Sequence, residues 1–138
     1  MRRIEIFFYG LFMDRDALIR RGFKPGPSCV GLVADFKLKI GERATLAPAE
    51  QGTVWGVTMD LPSVEAERLY AEPSVADYRP EAVLVHLVNG DAVAALCYNL
   101  LDPDIGKTNK LYAEALYELA VNLGLPEAYL VSLKTFST

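Results

Sequence analysis

Two apolar runs, "YRPEAVLVHL" and "AVAALCYNL", stand on either side of Asn89-Gly90. Asn-Gly is the dipeptide that best tolerates the left-handed backbone of a two-residue turn, so the stretch predicts an antiparallel hairpin. That pairing constrains the fold more than any other feature of the chain. A sheet containing it is not the uniformly parallel sheet of a doubly wound protein. The rest of the pattern reads β α β β α β β α α, with helices mixed among strands rather than strictly alternating. An α+β domain with a mixed, largely antiparallel, barrel-like sheet and surrounding helices follows. With 138 residues, 51% of them hydrophobic and 23% charged, the chain has the size and apolar content for one domain with a real core.

The opening "IEIFFYGLFMD" predicts a buried strand over residues 4–9 that stops at Tyr9-Gly10. Asp14 is placed to cap the short helix "RDALIRRG", which Gly22 ends. "CVGLVADFKLKI" and "TVWGVTMDL" read as strands, and "GERATLAPAEQG" between them as a loop of medium length. Gly56 inside the second strand signals a bulge or the close approach of another backbone. Ser63 is the N-cap candidate of "PSVEAERLYAE". Pro73 disfavours helix in the residue before it, so that helix is expected to end at about Glu72. Lys110 to Leu123 carries a helical apolar pattern ended by Gly124, and Pro126 opens a last helix.

The charge of −4 argues against a nucleic-acid binder, which needs a clustered basic face. Arg20-Arg21 with Lys24 is the one basic cluster, and cations there suit a helix end. No run of about 18 apolar residues suggests a membrane span, and the start does not read as a signal peptide. Cys29 and Cys97 are far apart and read as free thiols, which points to a cytoplasmic setting. With one histidine, His86, and two lone cysteines, no zinc site is expected and no metal is assigned. His86 reads as a surface residue and Trp55 as core.

The turn after the first strand raises a question. Tyr9-Gly10-Leu11-Phe12 is either an ordinary bend carrying core residues, or a turn whose backbone amides meet a ligand. Gly10 lets the chain bend sharply and permits close approach, and consecutive N–H groups can form an anion-binding hollow.

Three segments in order, "FFYGLF", "RATLAPAEQGTVWGVTMDL" and "LYAEPSVADYRPEAVLV", resemble the gamma-glutamylcyclotransferase-like family, which includes AIG2-like proteins and gamma-glutamylamine cyclotransferases. That family shows a Tyr-Gly-Ser turn, an arginine-to-proline loop before a V-x-G strand, and a helix-end glutamate followed by a Tyr-x-Arg-like pair. The tail "YELAVNLGLPEAYLVSLKTF" is similar to that of the shorter members. The resemblance implies cofactor-free cyclisation of a γ-glutamyl group: its α-amine attacks its own γ-carbonyl, giving 5-oxoproline and a released amine or amino acid. Intramolecular attack gains much from proximity, so no Ser or Cys nucleophile is needed, and the chain has no G-x-S-x-G.

Carried over residue by residue, the resemblance makes Glu72 the proton carrier, with burial and an unfavourable helix end expected to raise its pKa. The alternative is an exposed helix-terminal glutamate. Tyr9, Gly10, Leu11 and Phe12 would offer amides to a carboxylate or oxyanion. Leu11 stands where the family has serine, so a hydroxyl contact is lost while backbone donors remain. Tyr78 would bond to substrate or wall the pocket, Arg43 would pair with a carboxylate, and Tyr98 would line the cavity. A half-buried strand tyrosine and a surface arginine are the plain alternatives for Tyr78 and Arg43. The expected partner is a small γ-glutamyl compound, with no nucleic acid and no membrane. The oligomeric state, a homodimer included, is left open. A non-catalytic binding protein on the same fold is the competing reading, supported by Leu11.

Overall fold

The computed structural model describes residues 2–102 and 104–138. Five strands close into a barrel in the order β1-β3-β2-β4-β5. They are β1 (Arg3–Phe8), β2 (Cys29–Ile40), β3 (Ala44–Pro62), β4 (Arg79–Leu87) and β5 (Ala92–Asn99). Four α-helices accompany them: α1 (Arg15–Arg20), α2 (Ser63–Leu69), α3 (Lys110–Leu123) and α4 (Glu127–Lys134). Every strand pair is antiparallel except β1 with β5, which closes the barrel in parallel through Ile6 and Leu96. The mixed, largely antiparallel barrel with surrounding helices is the expected class. Closure removes the free sheet edges that would otherwise invite pairing with other chains.

The hairpin forms as β4 and β5, in register from Arg79 opposite Asn99 to His86 opposite Ala92. Its connection is longer than the two residues expected. The Leu87 amide donates to the Asp91 carbonyl and Gly90 adopts a φ of +96°, so residues 88–91 make the turn.

The largest correction concerns the segment read as a loop before β3. β3 begins at Ala44, and residues 44–48 pair with 36–40 of β2. Only residues 41–43 link the two strands. An irregularity between Ala34 and Phe36, with Asp35 at a φ of 67°, lets the ladder resume beyond it. Pro48, Gly52 and the alanines disguise this strand because none has strong strand propensity. Gly56 behaves as expected: a Cβ there would run into the Phe8 carbonyl and the Phe7 ring, so β1 can lie close on β3 only because residue 56 has no side chain.

The helices start and stop largely for the expected reasons. The Asp14 carboxylate accepts from the Ala17 amide at 3.1 Å, and Gly124 closes α3 in the left-handed conformation. Two details differ at α2. Ser63 is its first residue rather than its cap, and its amide donates to the Arg2 carbonyl. α2 also ends at Leu69, with Tyr70 as its C-cap, so Glu72 lies beyond the helix in a run of turns. Tyr70 explains the early stop. Its ring stacks flat on Tyr98, centroids 3.7 Å apart, and meets Phe12 edge-on at 5.8 Å. The chain leaves helical geometry where that ring turns inward.

One apolar core unites the barrel and the helices. Phe7, Phe8 and Met59 of the strands pack in the same cluster as Leu69 of α2, Leu116 of α3 and Leu133 of α4. Among the described residues, no helix is long and apolar enough to cross a membrane.

Candidate active site

The carboxyl end of β1 runs directly into the site. After Phe8 the chain passes Tyr9 and Gly10 and makes a single 3-10 turn, Leu11–Met13. Tyr9 is buried, and its hydroxyl donates toward the Tyr98 carbonyl at 2.6 Å and Asn99 Oδ1 at 2.9 Å, which ties the turn to the end of β5. Gly10 is extended, with φ −110° and ψ −153°. Its role is therefore spatial and not the sharp bend expected: a Cβ would lie 2.5 Å from the Tyr112 hydroxyl oxygen. That hydroxyl accepts from the Leu11 amide at 3.3 Å. The Met13 amide donates to the Gly10 carbonyl. Among the described residues the Phe12 amide has no protein acceptor.

A hollow opens beside this turn. Phe7 to Phe12 form one wall, and Arg43, Tyr70, Tyr78, Tyr98 and Tyr112 are among the other lining residues. The segment 9–12 together with Arg43, Tyr78 and Tyr98 therefore converges on one place. Glu72 is not part of the lining. Its carboxylate pairs with the Arg21 guanidinium, and its side chain is 31% exposed. Arg21 in turn lies 5.8 Å from the Phe12 ring centroid, so one guanidinium separates the carboxylate from the turn. Because α2 stops at Leu69, the argument from an unfavourable helix end does not apply to Glu72.

The hollow is neutral but for one cation. Burial holds the phenols of Tyr9 and Tyr70 well above the ordinary tyrosine value. Burial also pushes Tyr78 up to about 12, and raises Tyr98 and Tyr112. All five stay protonated near neutrality. The Tyr78 hydroxyl donates to the Ala44 carbonyl, and this bond fixes the strand start beside Arg43. Arg43 is half-buried, 5.2 Å from the Phe12 centroid and 5.5 Å from the Tyr112 centroid. Among the described residues no carboxylate lies within 4 Å of it. A cation held against two aromatic faces without a counter-ion is prepared to receive an anion.

Two spaces meet at Arg43. The inner hollow has a cavity volume of about 30 Å³, above the roughly 10–15 Å³ that one water requires. A wider basin of about 470 Å³ adjoins it through Arg43, Tyr78 and Tyr112, and is otherwise lined by Glu42, Ser74, Asp77, Leu100, Ile105 and Asn109. That volume falls in the range of small-molecule sites. Neither Tyr70 nor Tyr112 was singled out from sequence. Tyr70 was hidden in an apparently helical run, and Tyr112 is one of several apolar-face residues of α3. His86 is exposed on β4, and Trp55 is half-buried against the core. Among the described residues no cluster of His, Cys, Asp or Glu could hold a metal.

A closed α+β barrel with an aromatic, single-arginine hollow beside the first strand's turn is a cyclotransferase-like fold. The AIG2-like family model matches residues 53–133, and the chain belongs to that family. A solved gamma-glutamyl cyclotransferase superposes with a TM-score of 0.85 at 22% identity, over 96% of this chain and 87% of that one. An uncharacterized protein from Homo sapiens gives a TM-score of 0.80 at 21% identity, over 97% and 88%. An AIG2-like protein from Mus musculus gives 0.60 at 18% identity, over 76% and 83%. At such identities these likenesses establish the fold. No curated protein matches by sequence.

Proposed function

We propose that the chain cyclises a γ-glutamyl compound to 5-oxoproline and releases an amine. The single observation that carries this reading is the unpaired Arg43 guanidinium at the junction of the two spaces, beside the free Phe12 amide. Both suit an anionic head group, and Glu72 stands one residue contact away across Arg21.

The glutamyl head places its α-carboxylate on Arg43 and the Phe12 amide. The α-ammonium replaces Arg21 as the cation on Glu72 and gives its proton to that carboxylate. The freed amine attacks the γ-carbonyl carbon, forming the ring C–N bond and an oxyanion. Collapse of the oxyanion breaks the bond to the original amide nitrogen, which takes the proton back from Glu72. The ring nitrogen, which still carries two protons, then gives one through Glu72 to the released amine, leaving the neutral lactam and an ammonium. Atoms and charge balance with no water consumed and no external nucleophile.

Incubation with γ-glutamyl amines, γ-glutamyl dipeptides and glutathione, followed by assay of 5-oxoproline, tests this reading. Glu72→Gln keeps the shape and removes the proton carrier, so turnover is expected to fall by at least about 100-fold. Undiminished turnover in that variant would rule Glu72 out.

A second reading, a binding protein without chemistry, is favoured by two observations: Leu11 at the position of the family's serine, and Glu72 held by Arg21 outside the hollow. It predicts saturable binding of γ-glutamyl compounds with no product from any of them.

A further inference from the structure

The end of β5 carries a buried carboxamide that the proposed reaction does not use. Asn99 is the last residue of that strand and is 5% exposed. Its Oδ1 accepts from the Tyr9 hydroxyl at 2.9 Å and from the Leu46 amide at 3.3 Å, with the Cys97 thiol behind it at 3.7 Å. Its Nδ2 donates to Glu81 Oε1 at 2.6 Å. One side chain thus joins the turn after β1, the start of β3, the start of β4 and the end of β5. Both groups assigned to the anionic head hang from the first two of these segments. Phe12 lies three residues after Tyr9, and Arg43 three residues before Leu46.

The Glu81 carboxylate fixes which way the carboxamide faces. A carboxylate only accepts hydrogen bonds, so it requires the amino group of Asn99 on its side. The oxygen is then turned inward, where the Tyr9 and Leu46 donors need it. Turned over, the carboxamide would set Oδ1 against the carboxylate and Nδ2 against the Leu46 N–H, leaving donors and acceptors unpaired on both sides. Tyr9 does not hold the orientation alone, because its single proton is shared with the Tyr98 carbonyl at 2.6 Å. No other side chain fills this role at residue 99. Leucine offers neither donor nor acceptor, and aspartate would accept inward but repel Glu81 outward.

From this network we infer that Asn99, oriented by Glu81, is the positioning residue of the anion site: it sets the Phe12 amide and Arg43 at the separation that one carboxylate spans. Neither Asn99 nor Glu81 lines the hollow, so both act through the segments they hold. The inference rests on the anion-binding part of the cyclisation reading and adds two residues to it.

Glu81 supplies the test, because it is exposed and its replacement spares the core. Glu81→Gln keeps an acceptor oxygen for Asn99, and Glu81→Leu has none. The chains are compared by amide proton–nitrogen correlation spectra without ligand, and by calorimetry with glutaryl-pentylamine. That conjugate keeps the carboxylate but lacks the α-amine, so it occupies the site without reacting. In Glu81→Leu the Phe12 and Arg43 amide resonances are expected to move and affinity to fall about 3- to 10-fold. In Glu81→Gln the resonances are expected to stay and affinity to hold within about 2-fold. Asn99→Asp is expected to lose at least about 10-fold in affinity. Glu81→Gln added to it supplies a donor to the new carboxylate, so the double variant is expected to recover most of that loss.

Resonances and affinities that match between Glu81→Leu and Glu81→Gln overturn the inference. So does an Asn99→Asp loss that the double variant does not recover. Assay of 5-oxoproline from γ-glutamyl-pentylamine keeps the parent reading separate. If the Glu81 pattern holds and no product forms, the cyclisation reading fails while the positioning role stands. If the native chain cyclises the compound and Glu81→Leu changes neither the resonances nor KM, the positioning role fails while the cyclisation reading stands.

Discussion

The Tyr112 hydroxyl occupies the space that a side chain on Gly10 would need. A Cβ built there lies 2.5 Å from that oxygen and 3.8 Å from the Ala44 Cβ. The same hydroxyl accepts from the Leu11 amide, so α3 and the turn after β1 are locked by one oxygen.

Gly10→Ala is therefore a steric test. The backbone at Gly10 is extended and accepts alanine without strain, so the whole cost is the collision with Tyr112, about 1–3 kcal/mol. Tyr112→Phe alone loses a hydrogen bond, about 1 kcal/mol. The double variant removes the colliding oxygen. Denaturant melts of the four proteins are expected to show Gly10→Ala/Tyr112→Phe less destabilised than the sum of the two single changes. Strict additivity would mean that the hydroxyl is not what excludes a side chain at residue 10.

Gly56→Ala should behave differently. The atoms a Cβ would meet are the Phe8 carbonyl and the ring of Phe7, one of them backbone. No single side-chain change relieves a backbone clash, so β1 and β3 must separate. A loss of at least about 2–3 kcal/mol is expected, and Phe7→Leu in the same chain should not restore it. Urea midpoints measured at a constant m-value check this.

These two glycines show how far the sequence could be read. Gly56 announced a close backbone because a glycine inside an apolar strand has few other uses, and the hairpin around Gly90 was equally plain. The first nine residues of β3 escaped because Pro48, Gly52 and three alanines mimic a loop, although their partners in β2 are clear once the strands are paired. At the site, Tyr9 to Phe12, Arg43 and Tyr78 were placed by resemblance and Tyr98 by its position at the end of the hairpin, and all of them line the same hollow. Tyr70 escaped because its role depends on stacking with Tyr98, 28 positions away in sequence. The Glu72–Arg21 pair escaped for the same reason: which of several cations faces a given carboxylate is decided by tertiary packing.

Alkali should unfold the protein earlier than its composition suggests. Burial lifts Cys97 from an ordinary 9.0 to about 12 and Tyr78 from 10.0 to about 12. The unfolded chain releases these protons first, at about pH 9 and 10. Above those values the folded state holds more protons than the unfolded one, so stability falls as pH rises until the folded groups also titrate near 12. The combined loss is on the order of 5 kcal/mol across that window. Below pH 9 neither group contributes any slope. Denaturant titrations at pH 8 and pH 11 are expected to differ by several kcal/mol, and Tyr78→Phe should remove only part of the difference, because Tyr9, Tyr70, Tyr98 and Tyr112 are raised as well. A flat profile between these pH values would mean that the two groups are more open to water than their burial implies.

Arg43 should matter for binding far more than for folding. It packs on Phe12 and Tyr112 but neutralises no carboxylate among the described residues. Arg43→Gln is expected to change stability by less than about 1 kcal/mol, while affinity for a glutaryl amide drops at least about 10-fold. Arg43→Lys keeps the charge but loses the planar fork and the stacking, and should recover only part of the affinity. Unchanged affinity in Arg43→Gln would place the anionic head elsewhere.

Arg21 and Glu72 supply the sharpest kinetic contrast. Their pair is partly exposed, so breaking it costs the fold about 0–1 kcal/mol. If the substrate ammonium must displace Arg21 from Glu72, then Arg21→Gln removes a competitor present before binding and absent from the transition state. KM should fall, by about 2- to 5-fold for a pair of that strength, with kcat little changed. A rise in KM would instead mean that Arg21 itself holds the substrate, and a loss of kcat at constant KM would mean that it holds Glu72 in the reacting position. Initial rates over a range of γ-glutamyl amine concentrations separate the three outcomes, because each moves a different one of the two constants or moves KM in the opposite direction.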